Sequence, residues 1–391
     1  MKGDRMNNFT YSYPVKTYFG AKAAEKYLPA ELAKAGEKVM LAYGGGSIKK
    51  NGIYDEITML LREAGKTIVE FSGIMPNPTY AKVQEGATLA RAEKVDFILA
   101  VGGGSVSDCC KIIASQAMTE EDIWELEFTK KEFPKKALPL GVVVTASGTG
   151  SEQNAGAVIT NEEKKIKAGV FGAFADFAIL DPEYTLSVPM KQVLSGAFDT
   201  LSHAMETYFG KPQETFISDE ISEAVMRNTI TNIRNLMKNP EDMEARSELM
   251  WDSAMAENGI LKIGKTTDFQ AHQIEHQLGA YTDCNHGQGL AVIHPVLYRH
   301  IYKEGVAKFA RFAEEVWKIQ RGNKSDEELA EAGIKALEDF IHEIGLPTTL
   351  REMNITDTEI LRKVADSCNI TAGCCKQLTH DEIYEILMEC R

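Results

Sequence analysis

The first half of this chain repeats one pattern, and that pattern limits the possible folds more than anything else in the sequence. A short apolar run leads into a glycine-bearing turn, and an amphipathic stretch follows. Lys38–Tyr43 reads as a strand and runs into Gly44-Gly45-Gly46-Ser47. A helix then passes through Asp55, Ile57, Leu60 and Leu61 and ends at Gly65. Thr67–Phe71 reads as the next strand, and a helix follows Pro76-Asn77-Pro78 to about residue 92. Residues 97–101 are continuously apolar, as a strand buried on both faces should be. They enter Gly102-Gly103-Gly104-Ser105 and a further helix, and residues 140–145 repeat the buried-strand pattern. Strand, glycine turn and helix in repetition predict a parallel α/β sheet.

The texture changes near Asp181-Pro182. From Met190 onward β signal is sparse and helical periodicity dominates, as in 220–237 and 325–344. Breaks fall at Lys211-Pro212, Asn239-Pro240 and Leu346-Pro347. The 391 residues therefore divide into an α/β dinucleotide-binding domain, 1–185, and an all-helical domain, 186–391. The first is expected to be a Rossmann-like variant. The crevice between two such domains is the expected ligand site. With 43 basic and 57 acidic residues the formal charge is −14, which disfavours nucleic acid and anionic membrane surfaces as partners. No apolar run approaches the length of a membrane span, and the first residues do not resemble a secretory signal. The cysteines, at 109, 110, 284, 368, 374, 375 and 390, form no CxxC, which suggests reduced thiols in the cytoplasm. Two pairs are adjacent. A redox role for them stands against the blander reading of buried, inert thiols.

Three consecutive glycines at a strand end carry an entropic cost. A tight turn accounts for one such loop. Two loops at the ends of neighbouring strands point instead to backbone N–H groups approaching a polyanionic cofactor at the sheet edge. Neither loop matches GxGxxG. No acid stands beside the 44–47 loop to take ribose hydroxyls; Lys49 and Lys50 follow it, which favours NADP(H) while leaving NAD(H) possible. Thr145-Ala146-Ser147-Gly148-Thr149-Gly150 offers hydroxyls and small residues for the nicotinamide end.

Of eight histidines, three fall between positions 272 and 286: His272, His276 and His286. His272 and His276 are one helical turn apart, and Asp199 and His203 share that spacing. Two such pairs on two helices can converge on one cation. The oxygen and nitrogen donor set suits Fe(II), Zn(II), Mn(II) or Co(II). Spacing does not decide between His272 and His276 as the ligand.

These residues also carry a resemblance. GGGSVSD at 102–108, TASGTGSE at 145–152, FDTLSH at 198–203 and HQIEHQLGAYTDCNHGQGLA at 272–291 resemble the iron-containing, metal-dependent alcohol dehydrogenase family, most closely its clostridial NADPH-dependent butanol dehydrogenase and aldehyde reductase branch. YGGGSIKKNGIYD at 43–55, PNP at 76–78, LDPEYTLSVP at 180–189 and LMW at 249–251 extend the match over nearly the whole chain. The resemblance implies a homodimer that passes hydride between NADP(H) and a small aldehyde or primary alcohol such as butanal or butanol. It implies Asp199, His203, His272 and His286 as ligands of one Fe(II) or Zn(II), with His276 near the nicotinamide as a candidate proton relay. It places Gly44, Gly45, Gly46, Ser47 and Asn77 at the adenosine half, and Gly103, Gly104, Ser105 and Asp108 at the pyrophosphate. Thr145, Thr149, Asn154 and Lys167 fall near the phosphates and nicotinamide ribose. Two rival readings are a dehydroquinate-synthase-like lyase, which also uses metal and nicotinamide, and a catalytically silent homologue.

Overall fold

The computed structural model of the chain describes residues 6–391. It separates into two compact units, one formed by Ser12–Pro189 and the other by Met190–Arg391 together with residues 6–11. The sequence grouped residues 6–11 with the first domain. In the structure they lie with the second unit, where Asn7 N donates to Gly264 O at 3.2 Å and Asn7 Nδ2 to Thr266 Oγ1 at 3.1 Å.

The first unit has eight strands: β1 Lys16–Phe19, β2 Lys38–Tyr43, β3 Thr67–Phe71, β4 Phe97–Gly102, β5 Leu140–Val144, β6 Gly156–Asn161, β7 Ile166–Phe171 and β8 Phe177–Leu180. Six of them form one parallel sheet in the order β1-β8-β5-β4-β2-β3. Its helices are α1 Ala23–Leu32, α2 Ser47–Lys50, α3 Ile53–Glu63, α4 Tyr80–Glu93, α5 Gly104–Gln116 and α6 Ile123–Phe128. Every residue of β4 and β5 is buried, which accounts for their unbroken apolar runs. On one face Leu41, Leu99, Val101 and Ile179 pack under Leu28, Leu32, Ile57 and Leu61 of α1 and α3. Each such side chain contributes roughly 1.5–3 kcal/mol by leaving water. The other face is covered by α5. After β3 the chain returns to the far side of β2 to lay down β4, so the winding direction reverses between β2 and β4. Both triple-glycine loops leave from that reversal, where open α/β sheets bind ligands. β6 and β7 form a separate antiparallel hairpin.

The second unit is helical: α7 Met190–Tyr208, α8 Ile217–Lys238, α9 Met243–Glu257, α10 Gln270–Thr282, α11 His286–Ile301, α12 Val306–Glu315, α13 Asp326–Glu343, α14 Thr358–Ser367 and α15 His380–Glu389. An aromatic cluster stabilises it, with Phe209 stacked on Phe309 at 4.1 Å and edge-on to Tyr298 at 5.1 Å between ring centres. Among the described residues no helix is long and apolar enough to cross a membrane.

One glycine in the sheet is sterically required. Gly141 of β5 stands in register with Phe177 of β8, and a Cβ there would lie 2.3 Å from the Phe177 ring, which itself stacks on Phe97. Gly141→Ala is expected to destabilise the first unit by ~1–3 kcal/mol through overpacking, read as a lower denaturant midpoint. An unchanged midpoint would mean that the ring has room to move.

Candidate active site

In the second unit, one carboxylate oxygen faces three imidazoles. α7 carries Asp199, His203 and Glu206 at helical spacings that put them on one face. Asp199 Oδ1 lies 3.5 Å from His272 Nε2, 3.5 Å from His286 Nε2 and 3.7 Å from His203 Nε2. Asp199, His203 and His272 are buried and His286 is half-buried. Among the described residues, buried Asp199 Oδ1 and His272 Nε2 have no hydrogen-bond partner. Buried polar atoms are almost always hydrogen-bonded. Donors that converge without sharing a proton fit a cation between them, and three nitrogens with one oxygen suit Fe(II) or Zn(II).

Two further carboxylates orient the rings. His272 Nδ1 bonds Glu206 Oε2, while Glu206 Oε1 accepts from Ala271 N at 2.7 Å. His286 Nδ1 bonds Glu275 Oε2. With each Nδ1 proton donated outward, each Nε2 lone pair points inward. Burial works against a proton on His272, but the Glu206 and Asp199 carboxylates outweigh it and raise its pKa to about 10. Burial also opposes the Asp199 anion, yet the neighbouring His203 and His286 hold its carboxyl below the ordinary range. Burial lowers the pKa of His203. A cation entering the site displaces any proton held on these nitrogens.

The start of α11 brings His286 to Asp199. Asn285 caps that helix by accepting from Gln288 N at 3.2 Å, and it also accepts from Ser195 Oγ of α7. A Cβ on Gly287 would fall 2.2 Å from Ser195 O, so only glycine lets the two backbones approach this closely. A Cβ on Gly289 would lie 2.8 Å from Glu275 Cγ, and its absence lets Glu275 reach beneath the helix to His286.

His272 and His276 differ in what they face. His272 clusters with Asp199 and His286, whereas His276 clusters with Glu275 and His286. The buried His276 ring stacks on that of His286 at 5.6 Å and meets His272 edge-on at 5.9 Å. It borders the centre without facing Asp199 Oδ1 as His272 does.

In the first unit the two glycine loops differ. At Gly45 and Gly46 a Cβ would meet nothing within 4 Å, and Gly46 adopts φ +98 before Ser47 opens α2. A Cβ on Gly44 would lie 3.2 Å from Ile74 O. The 102–105 loop is packed: a Cβ on Gly104 would strike Thr149 Oγ1 at 2.2 Å, and one on Gly103 would touch Ala146 Cβ at 3.4 Å. Ser105 Oγ donates to Pro76 O, so Asn77 sits beside this loop. Thr145 N donates to Gly102 O at 2.9 Å. Lys167, buried in β7, pairs across the hairpin with Thr160, whose N–H donates to Pro78 O at 2.9 Å.

Two charged residues have internal partners that the sequence does not show. Asp108 accepts from Ser151 Oγ and from Val158 N at 2.8 Å, and lies 3.3 Å from Lys111 Nζ. Lys111, almost fully buried, donates to Ser151 O at 2.8 Å and to Gly156 O, and lies 3.3 Å from Asn154 Oδ1, which accepts from Gly156 N at 3.0 Å. Together they fix the 149–158 segment from behind. Lys49 also has a partner within the unit. It pairs with Glu70 Oε2 at 3.3 Å and lies over the Tyr54 ring at 4.3 Å, so an acid of β3 neutralises it. Glu206, Glu275 and Lys111 are further site residues that the sequence did not single out. Their signal was a charged residue on the inward face of a largely apolar helix, one turn from a residue already singled out.

The description "Iron-containing alcohol dehydrogenase" matches residues 14–182, and "Fe-containing alcohol dehydrogenase family, C-terminal" matches residues 193–390. The chain is 40% identical to the probable NADH-dependent butanol dehydrogenase 1 of Bacillus subtilis, over 98% of this chain and 99% of that one. It is 37% identical to the NADPH-dependent aldehyde reductase YqhD of Escherichia coli, over 91% of each. The crystal structure of NADH-dependent butanol dehydrogenase A from Thermotoga maritima superposes with a TM-score of 0.93 at 36% identity, covering 98% of this chain and 99% of that one. Membership implies a nicotinamide cofactor and iron or another divalent cation. The chain belongs to the iron-containing alcohol dehydrogenase family and is an alcohol dehydrogenase oxidoreductase.

Proposed function

We propose that this enzyme interconverts small primary alcohols and aldehydes, butanal among them, with NADP(H) preferred, and that Asp199, His203, His272 and His286 hold one Fe(II) or Zn(II). The observation that carries this reading is Asp199 Oδ1 facing three imidazole Nε2 atoms at 3.5–3.7 Å. A divalent cation there supplies Lewis acidity toward a substrate oxygen. The cofactor supplies the hydride, and the protein's part is alignment. Gly44, Gly45, Gly46, Ser47 and Asn77 take the adenosine half, and Gly103, Gly104 and Ser105 take the pyrophosphate with backbone amides. Thr145, Thr149, Asn154 and Lys167 take the nicotinamide ribose end. Asp108 and Lys111 hold that segment in place. His276, buried between the His272 and His286 rings, holds or passes the proton at the substrate oxygen.

Room at Gly45 and Gly46, with no acid inside residues 44–50, supports space for a 2′-phosphate. Lys49 no longer adds to that argument, because Glu70 engages it. A homodimer rests on the family resemblance, and a cytoplasmic location on seven cysteines with no disulfide among them.

Butanal and NADPH incubated with protein reconstituted with Fe(II) or Zn(II) should show stoichiometric NADPH loss. Cofactor recycling without net loss would instead favour a lyase. Gly45→Asp should lower NADPH kcat/KM relative to NADH by roughly tenfold or more, since ~1.4 kcal/mol of like-charge repulsion is already tenfold. An unchanged ratio would move the 2′-phosphate elsewhere. His272→Ala should lose metal and turnover together. Glu206→Gln should keep the fold and weaken metal affinity by roughly 10–100-fold, measured by chelator competition. Full metal occupancy in His272→Ala would remove the ligand assignment.

A further inference from the structure

The seven thiols are not equivalent. Cys109 and Cys110 are successive residues of α5, so their side chains diverge by about 100° around the helix. Both are fully buried, and burial pushes the Cys109 thiol up to about 12 and Cys110 well above its ordinary value. Burial pushes Cys368 and Cys390 to about 12 as well. These thiols fit the inert reading.

Cys374 and Cys375 do not. They lie in the irregular segment between α14 and α15, outside any helix or strand ladder, with their Sγ atoms 3.8 Å apart. Cys374 is buried and Cys375 is half-buried. The hydrogen bond between the two thiols draws Cys375 below its ordinary value and pushes Cys374 well above it. The same segment is tied to the start of α10. Gly373 N donates to Asp268 Oδ1 at 2.7 Å, and Gln270 Nε2 lies 3.7 Å from Cys374 Sγ. Cys374 also lines a cavity with Phe269, Gln270, Tyr298 and Glu206, the carboxylate that orients His272.

We propose that Cys374–Cys375 is an oxidation site, at which hydrogen peroxide forms a disulfide between the adjacent residues and the closure withdraws support from the start of α10. The half-buried Cys375 thiolate attacks peroxide, giving a sulfenic acid and hydroxide. The Cys374 thiol then condenses with it, forming the S–S bond and releasing water. Two thiols and one peroxide yield one disulfide and two waters. Closing 3.8 Å to a bonded ~2.05 Å moves Cys374 Sγ relative to Gln270 and pulls on the Gly373–Asp268 contact. Both contacts lie within a few residues of His272.

The test uses full-length protein loaded with Zn(II), which has no redox chemistry of its own. After peroxide, unfolding and alkylation, the peptide spanning 374–375 should be lighter by two hydrogens and unalkylated, while Cys109, Cys110, Cys368 and Cys390 are alkylated. In Cys374→Ser, dimedone should trap Cys375 as a sulfenic acid. Butanal turnover should fall roughly tenfold on oxidation, as for other losses of support around a metal ligand, and dithiothreitol should restore it. Only this last readout rests on the proposed activity. Zinc release to a chromogenic chelator replaces it if the unoxidised protein has no turnover. Alkylation of both Cys374 and Cys375 after peroxide, or a disulfide joining other cysteines, overturns the site. An equal peroxide-dependent loss in Cys375→Ser overturns the coupling to α10.

Discussion

The second unit is organised around one buried oxygen. Asp199 Oδ1 cannot accept hydrogen bonds from three imidazoles at once, and at 3.5–3.7 Å it accepts none of them in good geometry. Such an arrangement lasts only if several helices are held in place against it. α7 brings Asp199 and His203, α10 brings His272, and the first residue of α11 brings His286. Glu206 ties α7 to the start of α10, and Glu275 ties α10 to α11. Gly287 lets α11 touch the α7 backbone. Packing, capping and charge in this region therefore serve one geometry, with the His272 and His286 rings each oriented by a carboxylate on the far side.

The first unit meets a different demand. In the proposed cofactor site it presents backbone amides at the point where the winding of the sheet reverses, and backbone amides are only as well placed as the turns that carry them. The 44–47 loop achieves this with open space and a left-handed glycine. The 102–105 loop does so by contact, because Thr149 fills the place a Gly104 side chain would take. Thr149 in turn belongs to a segment pinned from behind by Asp108 and Lys111, a buried ion pair whose hydrogen bonds go to that segment. Losing either partner would leave the other as an unpaired charge in the interior.

Most of the sheet was legible because strands buried on both faces leave continuous apolar runs, as in 97–101 and 140–145. β1, at the sheet edge with Lys16 and Phe19 exposed, gives too short and mixed a signal to be read. The β6–β7 hairpin, with its glycines and partly polar faces, gives no clear run either. The histidine and aspartate cluster was legible as a spacing, but spacing could not separate His272 from His276, since both lie on one face of α10. Only the approach of α7 shows that His272 faces Asp199. Charge was the least legible property. Lys49 reads as a free cation along the chain, and its neutralising partner, Glu70, stands on the adjacent strand. The partners of Asp108, Ser151 and Val158, likewise lie more than forty positions away.

The return of residues 6–11 to the helical unit changes how the chain should be parsed. Read in order, the described chain starts in the second unit, crosses into the first at Ser12 and crosses back after Pro189. The sheet unit is thus an insertion in the helical one, with two covalent junctions and not one. An exchange of nucleotide-binding units between relatives must match both junctions at once, and the short N-terminal stretch has to travel with the metal-binding half.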